Sequence, residues 1–226
     1  VSRAALARLL HLSSQTLPIG GYSHSQGLES AIERQVVTDE ASLKRWIIDC
    51  LDFTWRSFEI PCLLSMMAAW TAGDAARVAA LNDEYLASRE SRELRLAAVQ
   101  MGHSLRALLT VLPELPDALS AQLRAMAEPS LPCAWSAAAS AWQTEAADAA
   151  VGYLWSWAEN QVLVAMKTLP LGQSAGHRLL VEVGPRLSQL AEDCAAVDPE
   201  LKSNFSPGLA ILSSQHETQY SRLFRS

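Results

Sequence analysis

The feature that most constrains this chain is an apolar stripe repeating with the period of an α-helix. Leu43, Ile47, Cys50, Leu51, Thr54, Trp55 and Phe58 follow a 3.6-residue spacing and so share one helix face. On a strand, successive side chains point to opposite sides, and the same residues would scatter over both faces. Thr38-Asp39-Glu40 stands just ahead of the stripe, where its acids complement the positive end of a helix dipole. A second stripe runs through Val151, Leu154, Trp155, Ala158, Val162 and Ala165 or Met166. Helices patterned this way must bury their apolar faces against one another, which predicts an all-α bundle.

Proline and glycine punctuate the rest. A short helix over residues 3–14 carries Leu6, Leu9, Leu10 and Leu12, and another is expected from about Ser25 to Val36. Pro61 should kink or restart the third helix, because it removes a donor and clashes one turn back. Gly73-Asp74 reads as a helix stop followed by a new N-cap. Residues 75–112 read as two helices meeting near Ser88 and ended by Pro113 and Pro116; a short helix covers about Asp117 to Ala127, before Pro129 and Pro132. The alanine-rich segment 134–150 precedes the second stripe. After Pro170-Leu171-Gly172, a long helix runs to about Val197, bent at Gly184-Pro185. A loop from Asp198-Pro199 to Pro207-Gly208, a last helix and a polar tail follow. The expected architecture is one domain over residues 1–226, a bundle of about nine or ten helices, with residues 219–226 a flexible tail. Half of the 226 residues are hydrophobic and only 19% are charged, a mix rich in alanine and leucine that suits helices and a single core.

A net charge of −6 argues against nucleic acid as a partner, which needs a basic face. Cys50, Cys62, Cys133 and Cys194 are widely scattered, as expected of reduced, buried thiols in a cytoplasmic protein rather than of a disulfide framework. No apolar run of about 18 residues marks a membrane span, and no charged-then-apolar leader is evident.

Catalytic and metal chemistry find little support. His11, His24, His103, His177 and His216 are never paired with another His or Cys at ligand spacing, so no tight metal site is expected. A weak site shared across a dimer axis, with one or two ligands per chain, stays open. Gly20-Gly21 lacks the spacing of a phosphate-cradling loop, no G-x-S-x-G elbow occurs, and no cofactor is expected. An enzyme would have to assemble its site from dispersed residues such as Arg89, Glu93 and His103. The alternative for Arg89 and Glu93 is a helical i,i+4 ion pair worth a few tenths of a kcal/mol.

Three places suggest binding instead. The first is Leu17-Pro18-Ile19-Gly20-Gly21-Tyr22-Ser23-His24-Ser25-Gln26-Gly27-Leu28-Glu29, which is either a helix–turn–helix corner or a surface of exposed backbone, serines, Tyr22 and His24. In the corner reading, Ser23 or Ser25 caps the second helix and Glu29 lies near its positive end. The second is Lys167, which either complements a helix C-terminus or contacts another component. The third is the tail, where Tyr220, Leu223 and Phe224 stand beside Arg222 and Arg225, the residue types that anchor interfaces. Its polarity suggests a segment free of its own core and ordered by a partner.

These stretches also resemble a known family. The 17–29 run, Arg89-Glu90-Ser91-Arg92-Glu93-Leu94-Arg95, Lys167-Thr168-Leu169-Pro170-Leu171-Gly172-Gln173 and the closing His216–Ser226 run match, in order, the UreF family of urease accessory proteins. The resemblance spans essentially the whole chain. It implies a non-enzymatic scaffold and GTPase regulator that helps load nickel into apo-urease. It further implies a homodimer that binds a UreD-type accessory protein and a UreG-type GTPase. The residues it points to for partner binding are Gly20, Gly21, Tyr22, Ser23, His24, Lys167, Tyr220, Arg222, Phe224 and Arg225.

Overall fold

The computed structural model describes residues 3–112, 115–196 and 202–226. Its α-helices are α1 (Arg3–Ser13), α2 (Leu28–Glu33), α3 (Glu40–Cys50), α4 (Ile60–Ala72), α5 (Ala75–Ala87), α6 (Arg92–Leu109), α7 (Asp117–Ala125), α8 (Leu131–Ala141), α9 (Ala146–Thr168), α10 (Gln173–Ala195) and α11 (Pro207–His216). A π-helical stretch, Leu51–Glu59, joins α3 to α4 without a break, leaving ten rods among the described residues and no strand. The all-α expectation is met. The boundaries expected at Pro113, Val197 and Asp198-Pro199 lie outside the described residues.

The local rules explain most boundaries. Asp39 caps α3 in a capping box with Ser42, and Asp74 accepts from the Arg77 amide at the start of α5. Gly73 ends α4 in the left-handed conformation. The alanine-rich segment spans the end of α8 and the start of α9, which are separated near Gln143, where φ is 53°. The second helix is shorter than expected: its N-cap is Gly27, not a serine, and it ends at Glu33.

Pro61 neither stops nor separates the third rod. It sits in the first turn of α4, directly after the π stretch. Its missing N–H leaves the Ser57 carbonyl free, and that oxygen accepts from the Ser203 amide at 2.9 Å. The Arg56 carbonyl faces the Cys194 thiol at 3.5 Å. The proline thus becomes a docking point for the segment that leads into α11.

The core forms where α9 packs on α10, α1 and α4, and where α4 packs on α8. Leu43, Ile47, Leu51, Leu63, Trp135 and Leu154 are fully buried there. Trp55 of the π stretch stacks at a tilt against Tyr153 and Trp157 of α9. All four cysteines are free and buried. Burial pushes the Cys133 thiol up to about 12, and burial with the nearby Glu59 carboxylate does the same for Cys62. No helix among the described residues is long and apolar enough to cross a membrane.

Candidate functional site

The 17–29 stretch makes a tight corner because Gly20 adopts φ 78° and Gly27 φ 90°, angles that strain any residue with a Cβ. Gly21 has no such angle; it opens a single 3-10 turn, Gly21–Ser23. The Ser23 hydroxyl donates to the Gly20 carbonyl at 2.7 Å and closes this turn. Two side chains of α9 then fix the exit: Asn160 donates to the His24 carbonyl at 2.8 Å, and Gln161 to the Ser25 carbonyl at 3.1 Å. Tyr22 points outward and is 58% exposed.

The tail does not stand free. It lies on this corner, and the expectation of a segment too polar to dock on its own core is corrected. Polarity is no obstacle, because the main chain makes the docking contacts. The Arg225 amide donates to the Ser23 carbonyl at 2.8 Å, and the Ser226 main-chain oxygen accepts from the Ser25 and Gln26 amides at 2.5 and 3.0 Å. The Ser25 hydroxyl donates to the same oxygen, and the Ser226 hydroxyl lies 2.9 Å from His24 Nδ1. Phe224 and Ser226 are buried, while Leu223 is 72% exposed and Tyr220 fully so.

Docking brings the separate sequence candidates together. The Lys167 ammonium, at the C-terminal end of α9, lies 5.9 Å from the centre of the Tyr22 ring and 5.6 Å from that of Phe224. One patch therefore unites Gly20, Gly21, Tyr22, Ser23, Lys167 and Phe224. His24 is buried beneath it. Burial first, and the Arg225 charge second, lower its pKa to about 4, so it is a neutral structural group. Arg225 is exposed at the edge, Arg222 pairs with Glu93 at 2.7 Å, and Tyr220 projects away.

Two residues that sequence reasoning does not select hold this arrangement. The Glu29 carboxylate accepts from the Leu223 amide at 2.6 Å and the Phe224 amide at 3.1 Å. The His216 ring, with no exposed surface, sits between Glu29 and Glu93, its Nε2 2.9 Å from the first and its Nδ1 2.6 Å from the second. The sequence signal for Glu29 is its place beside Leu28 and Ile32 on the inward arc of α2; for His216 the only signal is its place at the head of the closing family-like run.

The residues of the rival enzyme reading do not converge. Arg89 precedes α6 rather than lying on it, so it makes no helical pair with Glu93. It is buried with Glu59 of the π stretch, their charged atoms 2.5 Å apart, and stacks over Phe58 and Tyr85. His103 takes its hydrogen bond from Arg106. Arg89, Glu93 and His103 share no partner among these contacts. Among the described residues, no three His, Cys, Asp or Glu side chains are placed to hold a metal ion.

The comparison with known proteins decides the family. The UreF family model matches residues 37–184. The chain is 50% identical to the urease accessory protein UreF of Dechloromonas aromatica (strain RCB), over 98% of its own length and 97% of the relative's. The chain belongs to the UreF family. It is similarly 51% identical to the UreF of Azoarcus sp. (strain BH72), over 98% and 95% of the two chains. Against the UreF of Pseudomonas fluorescens (strain SBW25) the figures are 50%, 96% and 97%. Within this UreF-family fold, the N-terminal corner and the tail both lie outside the matched 37–184 segment, yet they form one surface.

Proposed function

We propose that the chain is a non-enzymatic scaffold in urease maturation, presenting the docked tail and corner to other accessory proteins while nickel passes to apo-urease. The observation that carries this reading is the meeting of Lys167, Tyr22 and Phe224, brought from three distant segments into one patch. Tyr22, exposed in this patch, is of a residue type enriched in interface hot spots, and Lys167 with the buried Phe224 holds it in place. Beside the patch, Arg92, Arg222 and Arg225 together with Glu93 and Glu217 line an open cleft of about 630 Å³, a surface of mixed charge.

In this reading the patch and tail bind a UreD-type accessory protein and recruit a UreG-type GTPase, whose hydrolysis the scaffold regulates. A homodimer would use a different face. Trp155 of α9, lying over Gly184, and Val181 of α10, 75% exposed, offer apolar surface there. The setting is the cytoplasm. Copurification with the UreD-type and UreG-type proteins, with and without GTP and Mg²⁺, tests the proposal. Capture by the wild-type chain but not by Tyr22→Ala or Lys167→Ala variants supports it; equal capture by all three removes the patch from the interface.

A further inference from the structure

The docked tail raises a question that its own composition does not answer: what keeps it down. Side-chain burial is small, because of residues 220–226 only Phe224 and Ser226 are buried. The hydrogen bonds point to Glu29. Its carboxylate accepts from two successive tail amides, Leu223 and Phe224, so it acts as a clamp on the main chain. A buried carboxylate in that role must itself be held and neutralised.

His216 does this. The ring faces a carboxylate oxygen on each side, Glu29 from α2 and Glu93 from α6. Glu93 in turn accepts from Arg222 of the tail. A neutral imidazole carries one N–H and one lone pair, and a lone pair cannot bond an ionised carboxylate. Satisfying both sides requires one further proton in the cluster, on the ring or on a carboxylate. Placed on the ring, that proton makes His216 a donor to both carboxylates, and Glu29, Glu93, Arg222 and His216 form a closed set in which charges cancel.

We propose that His216 is the positioning residue of the tail. By bridging Glu29 and Glu93 with a proton on each side of its ring, it aims Glu29 at the Leu223 and Phe224 amides and thereby builds the Lys167–Tyr22–Phe224 patch. α11 is the arm that carries this bridge, since His216 is its last residue. The functional consequence rests on the interface reading above, but the latch itself is a property of the isolated chain.

The test therefore uses the full chain without partners. Amide hydrogen exchange of Leu223 and Phe224 is measured in wild type, His216→Ala and Glu29→Gln, with Leu63 in α4 as a core reference. Glu29→Gln replaces one acceptor oxygen by a donor that faces the same N–H groups. Both variants are expected to speed exchange of the two tail amides at least about tenfold while leaving Leu63 protected. Free imidazole added to His216→Ala should restore protection, which a loss of packing elsewhere would not allow. In the wild type, NMR should show a slowly exchanging proton on each side of the His216 ring, a reading that does not depend on any variant folding. A single ring proton, or tail amides as protected in a folded His216→Ala chain as in wild type, overturns the proposal.

Discussion

The carboxylate of Glu29 lies 2.6 Å from the amide nitrogen of Leu223, a residue 194 positions away in the chain. This contact joins the first corner of the fold to its last segment, and it converts two separate loops into one surface. Because the tail binds largely through its backbone, the side chains of Tyr220, Leu223 and Arg225 are left facing solvent, while Arg222 pairs with Glu93. The same geometry sets what substitutions in this region should do.

Gly20→Val should destabilise the protein by about 1–3 kcal/mol, the range for a residue with a Cβ held at positive φ. Gly172→Ala serves as the control, since Gly172 has φ −72° and open space where a Cβ would stand. Its effect should stay within about 0.5 kcal/mol. Urea melts of the two variants check both values, and equal stabilities would show that the corner does not need the left-handed angle.

Arg89→Ala should cost about 3–5 kcal/mol, because it leaves Glu59 buried without its cation. The double variant Arg89→Met, Glu59→Gln should lose less than the single one, since no uncompensated charge remains. Thermal unfolding monitored by circular dichroism distinguishes the two orders.

Acid should weaken the corner through His24. Its folded-state pKa is lowered from 6.5 to about 4, so the unfolded chain binds this proton first. The neutral ring costs nothing above pH 6.5, and the stability is lost as pH falls from 6.5 toward 4. The slope is about 1.4 kcal/mol per pH unit, or roughly 3 kcal/mol over that window. His24→Asn should flatten this part of a stability–pH profile; an unchanged slope would assign the loss to other groups.

Much of the fold is legible in the sequence because its signals are local. The stripe from Leu43 to Phe58 marks the third rod, Gly73-Asp74 a boundary, and the break near Ser88 another. The π stretch is not legible, because Leu51–Glu59 shows the same apolar spacing as the α-helix around it. Pro61 reads as a break because the spacing does not reveal that the Ser203 amide supplies the donor the proline lacks. The site is half legible: Tyr22, Lys167 and Phe224 each stand out separately, and nothing local joins them. Glu29, Glu93 and His216 escape for a related reason. Their bonds cross from α2 and α6 to the end of α11, and residue types alone make them a helix-dipole acid, a surface ion pair and an isolated histidine. The tail misleads most, since side-chain polarity says nothing about what a backbone can bind.

Tyr22→Ala should leave helicity and the melting temperature nearly unchanged, as its ring is mostly exposed, yet weaken association with the UreD-type or UreG-type partner. Truncation of an interface anchor typically costs about 1–3 kcal/mol of binding, a drop of roughly tenfold to a hundredfold in affinity. Calorimetry or surface capture measures it directly, and an unaltered affinity would place Tyr22 outside the interface.

The central claim is that the docked tail completes the surface by which this UreF-family chain holds its partner. Deleting residues 220–226 tests it most directly, with the truncated and full-length chains compared in capture of the UreD-type protein and in urease activation in cells. Helicity should persist, and the melting temperature should fall only modestly, because the core of α4, α8, α9 and α10 is untouched. Capture and activation should both be lost. Full-yield capture by the folded, truncated chain would contradict the account.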